Sequence, residues 1–510
     1  MDISPKIIPF DELVGIAGKI KSQGKKLVLC HGVFDLVHPG HILHFKAAKK
    51  KGDVLIVTLT RDEFVFKGPG RPYFNQRLRL ETIASLEAVD YVALNKWPTA
   101  IETIKELKPD YYAKGSDYAQ NEKDITGNIA LEVSAVRDAG GQVVYTDEEM
   151  FSSSTLINSF FQDHAPQTRA YLQDFKKYFT SEEIIACLKG LKDLNVLVLG
   201  EAILDQYHYC QPLAKTPKDS IVAVKHQSEE DFAGGTLAIA NHLANFCRQV
   251  SLISIIGNEE EHQRYFRSKL ASNVEFIPII ADDRTTIIKR RFVEREGSSF
   301  KKMFEIQFVN DEYLNKETEN QVVKQLIKKI EDADLVVVGD FGHGMMTPRL
   351  KELLYDSGKF LAINTQSNSA NMGFNPVTTY KRGNYICLDE PELRFAAHSK
   401  YGKVEVIAES IKRKLEAKDF MVSLGANGNI LFDGKGDAYS TPIFSKRVVD
   451  RTGAGDALFS ITAPCVYKDY DRRMVGFVAN CVGALAVETV CNRDPIDPTQ
   501  LYKFITYLMK

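Results

Sequence analysis

The sequence predicts two α/β domains in tandem, each built on a doubly wound parallel sheet. Three observations carry this. Two short apolar runs, Lys26-Leu27-Val28-Leu29-Cys30 and Asn195-Val196-Leu197-Val198-Leu199, each lead at once into a turn and a helix, through His31-Gly32 and Gly200-Glu201. Continuous apolar runs of this length suit strands buried on both faces. After the first run, strand and helix patterns alternate, which is how a parallel sheet is wound by crossover helices. The chain has 510 residues, 44% of them apolar and 26% charged, enough to bury more than one core without covalent staples.

The elements follow in order. Helical residues 41–51 lead to strand 53–58, helix 75–87 to strand 90–94, helix 99–107 to strand 110–113, and helix 127–139 to strand 142–145. The polar, helical stretch 166–190 reads as a linker between a first domain at 1–165 and a second at 191–510. Strand 195–199 opens the second domain, which includes strands 334–338, 360–363 and 420–424. Segments at about 206–232 and 284–308 are richer in short strands and predict a small sheet off the main body.

A net charge of −2 gives no electrostatic case for nucleic acid or a membrane surface as partner. No apolar run approaches the roughly 18 residues that span a bilayer. The opening Met1-Asp2-Ile3-Ser4-Pro5 lacks a basic stretch leading into an apolar core. Eight cysteines are scattered without C-x-x-C spacing, against zinc and a disulfide framework and in favour of the reducing cytoplasm.

The run Gly32-Val33-Phe34-Asp35-Leu36-Val37-His38-Pro39-Gly40-His41 follows a strand and opens a helix. Glycine there lets backbone approach a phosphate, and a helix start offers unpaired N–H groups. Imidazoles three residues apart can both donate to charge developing at the α-phosphorus during nucleotidyl transfer. A histidine pair alone would read as structural; strand, glycine and helix start together favour chemistry. The run resembles the H-x-G-H signature of the Rossmann-like cytidylyltransferase-like nucleotidylyltransferases. The resemblance covers 26–160: Lys67-Gly68 with Arg71-Pro72, Gln76-Arg77, Leu86-Glu87-Ala88-Val89-Asp90, Lys114-Gly115-Ser116-Asp117-Tyr118 and Ser152-Ser153-Ser154. It implies that His38 and His41 stabilise the transition state, and that Gly32 and Phe34 bring backbone to the triphosphate. It further implies that Lys67, Arg77 and Lys114 neutralise phosphates, while Ser153 and Ser154 cap the β- and γ-phosphates. Mg²⁺ on the triphosphate is expected, with ATP as nucleotide and CTP as the other possibility.

The second centre is Asp450-Arg451-Thr452-Gly453-Ala454-Gly455-Asp456-Ala457. Small residues before an apolar helix make an anion hole of backbone N–H groups, and an acid at its mouth can accept a hydroxyl proton. The run resembles D-T-G-A-G-D of the ribokinase-like sugar kinases. By that resemblance Asp456 is the general base and Gly453, Ala454 and Gly455 hold the transferring phosphoryl group. Further matches are Gly200-Glu201-Ala202-Ile203-Leu204-Asp205-Gln206-Tyr207, Gly234-Gly235, Asp340-Phe341-Gly342-His343-Gly344, Ser423-Leu424-Gly425-Ala426-Asn427-Gly428, and Asn480. They imply a sugar site at Asp205, Gly234 and Gly235, and a nucleotide site at Gly425, Gly428 and Asn480. Both halves most resemble the bifunctional ADP-heptose synthase family, with the halves in reversed order.

Three departures stand out. Ala238 occupies the place of a sugar-binding Asn, Asn364-Thr365-Gln366 replaces D-P-K, and Asp389-Glu390-Pro391-Glu392 replaces N-x-x-E. Asp389 and Glu392 can still act on a metal through water. The sugar contacts are not those of a heptose-7-phosphate kinase. The sequence therefore predicts an enzyme that phosphorylates a sugar or sugar phosphate and joins a sugar phosphate to a nucleotide, with self-association implied by related kinases that pair through the small sheet. One alternative is a single nucleotidylyltransferase whose second domain senses a ligand or drives oligomerisation; retention of Asp456, Gly453 and Gly455 argues against it. A third reading, an aminoacyl-tRNA synthetase relative, shares the H-x-G-H chemistry but fails on the near-neutral charge and the absence of a K-M-S-K-S-like loop in this sequence.

Overall fold

The first apolar run forms strand β1 (Leu27–Gly32), whose residues 27–30 are fully buried. The computed structural model describes residues 4–65, 71–115, 128–146, 165–215, 221–296, 299–445 and 447–510. Lys67, Ser153 and Ser154 lie outside these described residues. The chain divides into two compact units, Met1–Ala165 with Tyr502–Lys510, and Pro166–Leu501. Among the described residues, no helix is long and apolar enough to cross a membrane.

In the first unit, α1 (Phe10–Ser22) precedes β1, and α2 (Pro39–Lys49) follows it. Then come β2 (Val54–Leu59), α3 (Gln76–Ala84), β3 (Tyr91–Leu94), α4 (Ile101–Leu107), β4 (Tyr111–Gly115), α5 (Asn128–Asp138) and β5 (Gln142–Thr146). The sheet order is β3-β2-β1-β4-β5, every neighbour parallel. The chain winds outward from β1 to β3 and then returns to place β4 beside β1. That reversal opens a crevice at the carboxyl ends of β1 and β4, where ligands bind in such sheets.

The second unit begins with helices Pro166–Phe175 and Ser181–Lys189, in the segment read above as a linker. They are amphipathic: Leu172, Phe175, Ile184, Ile185 and Leu188 are buried, and Phe175 stacks on Phe477 at 4.4 Å. That apolar stripe is why 166–190 groups with the second unit. Residues 502–510, placed by the sequence in the second domain, group with the first unit.

The main sheet of the second unit has nine strands. They are β6 (Asn195–Gly200), β9 (Gln249–Ile256), β10 (Val274–Ile280), β13 (Leu335–Asp340), β14 (Phe360–Thr365), β15 (Tyr385–Asp389), β16 (Asp419–Ser423), β17 (Asn429–Phe432) and β18 (Ala438–Thr441). Their order is β10-β9-β6-β13-β14-β15-β16-β17-β18. The strands are parallel as far as β16, with β17 and β18 added antiparallel. A separate sheet, ordered β12-β11-β7-β8, contains β7 (Ala202–Lys215), β8 (Val222–Gly235), β11 (Ile287–Glu296) and β12 (Ser299–Phe308). Its inner face buries Tyr207, Tyr209, Phe232 and Val293 against Val490 and Cys491. This is the small sheet that the strand-rich segments predict.

Candidate active sites

The first site starts where β1 stops. A side chain at Gly32 would meet the Phe34 ring at 2.9 Å, so glycine alone lets that ring fold back on the strand end. Phe34 takes φ 47°, a left-handed conformation rare for bulky residues. Its ring makes edge contacts with His41 at 5.4 Å and Phe45 at 5.0 Å. His38 caps α2, with Pro39 at the first helical position, where a missing N–H costs nothing. The His38 and His41 rings lie 3.9 Å apart, and the His38 backbone N–H donates to His41 Nδ1 at 3.4 Å. With Nδ1 accepting, a neutral His41 carries its proton on Nε2, the tautomer a donor to phosphate needs. Burial holds His38 below the usual histidine range.

Two further histidines lie on β1 and α2. His31 Nδ1 contacts Thr58 Oγ1 at 2.9 Å, and His44 Nδ1 contacts Thr146 Oγ1 at 2.7 Å. Burial first, and then the charge of Lys114, push His31 down to about 3 and His44 to about 4. Both are therefore neutral, fixed in place by threonines. Lys114, at the end of β4, pairs with Glu132 at 2.8 Å, and its Nζ is 5.0 Å from the Tyr112 ring centroid. Burial opposes its ammonium, but Tyr112 and Glu132 outweigh that and hold its proton above the ordinary lysine range.

Arg77 is elsewhere. Its side chain is 71% exposed and pairs with Glu81 at 2.7 Å on its own helix. The arginine that shapes the β1–α2 loop is Arg79, which sequence reasoning missed. Buried at 1% exposure, Arg79 donates to the carbonyls of Val33 (2.7 Å), Thr60 (2.8 Å) and Phe74 (3.0 Å) and to Asp62 (2.6 Å). A second buried pair, Arg71 Nε to Asp35 Oδ2 at 2.6 Å, anchors the same loop, and Asp35 also accepts from the Phe74 N–H at 3.0 Å. The signal for Arg79 was its spacing, four residues before buried Ile83 on one face of α3.

The second site is a cavity of about 270 Å³ at the carboxyl end of the nine-stranded sheet. Asp205, Gly235, Lys289 and Arg291 line it from the small sheet; Gly453, Gly455 and Asp456 face it from the start of helix Ala454–Tyr467. Gly453, at φ 82°, caps that helix, and a Cβ there would strike the Asn492 side chain. A Cβ on Gly234 would strike the Asp205 carboxylate, so the diglycine leaves room for that acid. Asp205 is itself ion-paired with Arg291, which also reaches Glu305 at 2.6 Å.

Asp456 is 6% exposed and accepts from the Gln366 side-chain amide at 2.6 Å. Burial, and then the nearby Asp205 charge, push its carboxyl up to about 7, while Lys289 and the Gln366 bond pull the other way. Lys289 was not picked out from sequence. It pairs in register with Asp205 across β11 and β7, and burial lowers its own proton affinity. Asp450 ties the anion loop to the small sheet: it accepts from Tyr207 OH at 2.6 Å, Lys302 Nζ at 2.7 Å and the Thr452 N–H at 3.0 Å.

Asp389 and Glu392 line the cavity and cap each other, Glu392 N–H to Asp389 at 2.8 Å and Asp389 N–H to Glu392 at 3.0 Å. Glu392 also accepts from the Ser367 N–H at 3.1 Å. Burial and Asp389 raise Glu392 to about 8. With oxygens so engaged, the pair suits contact with a cation through water.

The remaining candidates sit apart from the cavity lining. Gly425 (φ 55°) and Gly428 (φ 89°) bound the turn between β16 and β17. Asn480 spends its amide on the carbonyls of Thr441 (2.8 Å) and Pro442 (2.9 Å), holding the end of β18. Glu201, in the opening Gly-Glu, accepts from the N–H groups of Phe341 (2.9 Å), His343 (3.2 Å) and Met345 (3.1 Å), so it braces the Asp340–Gly344 loop.

Comparison with known proteins finds matches in both parts of the chain. A family model described as cytidylyltransferase-like matches residues 29–160. The bifunctional protein HldE of Aliarcobacter butzleri (strain RM4018) is 41% identical over 136 residues, 26% of this chain and 28% of that protein. That of Sulfurimonas denitrificans is 44% identical over 135 residues, again 26% and 28%. The chain thus matches less than a third of the length of these relatives. The solved phosphofructokinase-2 from Escherichia coli with substrates and products is 16% identical, at TM-score 0.49, over 62% of this chain and 100% of that one. A second family model, pfkB family carbohydrate kinase, spans residues 193–499, more than half of this chain, and the chain belongs to that family.

Proposed function

We propose that the chain is a bifunctional enzyme of nucleotide-activated sugar synthesis. Its second unit phosphorylates a sugar or sugar phosphate from ATP. Its first unit transfers a nucleotidyl group from ATP or CTP to a sugar phosphate and releases pyrophosphate. The proposed catalytic regions are residues 1–165 and 191–510, the helices of 166–190 serving the second unit. The observation that carries the kinase reading is Asp456: an acid raised to about 7, facing a cavity beside an N–H-rich helix start. A base poised near the working pH balances availability against proton affinity. The attacking hydroxyl loses its proton to Asp456 as its oxygen bonds the γ-phosphorus and the bond to ADP breaks. Gly453, Ala454 and Gly455 hold the phosphoryl charge, and Asp205 with Gly234 and Gly235 orients the sugar. Mg²⁺, reached through water by Asp389 and Glu392, would supply charge neutralisation.

In the first unit, a sugar-phosphate oxygen attacks the α-phosphorus. His41 Nε2 and His38 donate to the charge that develops, and Lys114 offsets repulsion between the anions. We assign Lys67, Ser153 and Ser154 to phosphate binding on the family resemblance. The eight cysteines are free, consistent with a cytoplasmic enzyme. Self-association is also inferred, supported by exposed Phe304, Ile306 and Phe308 on β12; sedimentation tests it. The functional test supplies full-length protein with nucleotides and a panel of sugars and sugar phosphates and follows ADP and pyrophosphate together. Asp456→Asn is expected to abolish sugar-dependent ADP only, and His41→Ala pyrophosphate only. Absence of sugar-dependent ADP across the panel would favour a ligand-sensing second unit.

A further inference from the structure

The small sheet carries a cluster that neither proposed reaction uses. His208 on β7 and His226 and Glu229 on β8 bring one donor atom each to within 4.8 Å of one another. His208 Nδ1 is 3.7 Å from Glu229 Oε2, and His226 Nε2 is 3.9 Å from the same oxygen. Both separations exceed hydrogen-bond length, so the groups converge without bonding each other.

The convergence has a specific backbone cause. Side chains alternate faces along a strand, so His226 and Glu229, three residues apart, belong on opposite faces of β8. The register shifts between Tyr209 and Cys210: Tyr209 pairs with Ser228, Cys210 with His226, and Gln227 is the extra residue. This bulge turns His226 onto the face that carries Glu229 and its direct partner His208. Bulges commonly re-aim a side chain in this way. The His208 ring also packs on Phe292 at 5.2 Å, which limits its rotation.

We propose that His208, His226 and Glu229 form a binding site for a late first-row divalent cation such as Zn²⁺, with water completing the coordination. Two imidazoles and a carboxylate suit Zn²⁺ and its neighbours, whereas Mg²⁺ prefers an all-oxygen shell. Zinc sits about 2.0–2.2 Å from such ligands, which places tetrahedral ligand atoms roughly 3.3–3.5 Å apart. Closing on an ion therefore needs shifts of less than about 1 Å per ligand atom. With side-chain exposures of 59% and 65%, His226 and Glu229 leave the site open to ions from solvent. A bound ion would clamp β7 to β8, the strands that carry Asp205 and Gly234-Gly235.

The test uses full-length, untagged protein without nucleotide. Zn²⁺ is titrated by calorimetry, and Co²⁺ is followed by its visible absorption. One ion per chain is expected, in the micromolar range or tighter, undisturbed by millimolar Mg²⁺. His226→Ala and Glu229→Gln, both at exposed positions, should each weaken binding at least about tenfold and leave circular dichroism unchanged. The Co²⁺ spectrum should lack thiolate charge-transfer bands. No saturable binding, undiminished binding in both variants, displacement by Mg²⁺, or a thiolate band would each overturn the site.

Discussion

Replacing Asp456 by Asn keeps the shape of the side chain and removes its proton affinity. Loss of a general base costs typically about 10²–10⁴-fold, or roughly 3–5 kcal/mol of barrier. The structure adds a pH signature. Because the Asp456 carboxyl is raised to about 7, the wild-type phosphoryl-transfer rate should fall tenfold per pH unit below that point, and the Asn variant should lack this limb. Stability should change in the opposite sense. An acid whose folded pKa exceeds its unfolded value of about 3.9 favours folding most below the lower value. That advantage is lost as pH rises toward 7. Over about three units it amounts to at most about 4 kcal/mol. The Asn variant should therefore melt higher than wild type at pH 8 and gain little at pH 4. The assay is ADP formation against pH on a sugar panel, paired with thermal melts. Unchanged turnover with an intact acid limb would refute the role of Asp456.

His41→Ala removes a donor aimed at phosphate charge and should lower pyrophosphate release about 10²–10³-fold with kinase turnover intact; equal loss of both activities would count against separate sites. Arg71→Ala strands the Asp35 carboxylate, whose pair is 1% exposed on each side, and should cost about 3–5 kcal/mol in urea unfolding. An Asp35→Asn, Arg71→Met double variant should recover much of that loss. Lys289→Met removes the cation that lowers the proton affinity of Asp456, so the acid limb of the kinase profile should move to higher pH; a shift downward would place Lys289 elsewhere in the electrostatics.

The parallel cores were legible because their strands are unbroken apolar runs, and such runs have few other uses in a charged sequence. Strand β13, predicted at 334–338, occupies Leu335–Asp340 with every residue buried. Helix α1 was missed, although Phe10, Leu13, Ala17 and Ile20 repeat at helical spacing and are all buried. The antiparallel pair β17 and β18 was also missed, since strands of four residues carry too few alternations to stand out. The stretch 166–190 looked like a linker because its exposed face is rich in charge. Its buried face holds only every third or fourth residue, and that was enough to fold it onto the second unit.

The sites divide along the same line. His38, His41, Gly453 and Asp456 are placed by backbone geometry set within a few residues, so strand, glycine and helix start announce them together. Lys289 and Arg291 do not: they lie in Ile287-Ile288-Lys289-Arg290-Arg291, where any of three cations could face the cavity. Only the register of β11 on β7, which sets Lys289 against Asp205, decides the matter. Arg77 and Arg79 show the converse case. Adjacent motif positions drew attention to Arg77, while burial falls on Arg79, two residues away and about 200° around the helix. A charged side chain driven into the interior must find partners, and Arg79 finds four, three of them 17 to 46 residues away. Residues that hold a catalytic loop in place thus take their meaning from tertiary partners, and a linear motif records the loop without recording what holds it.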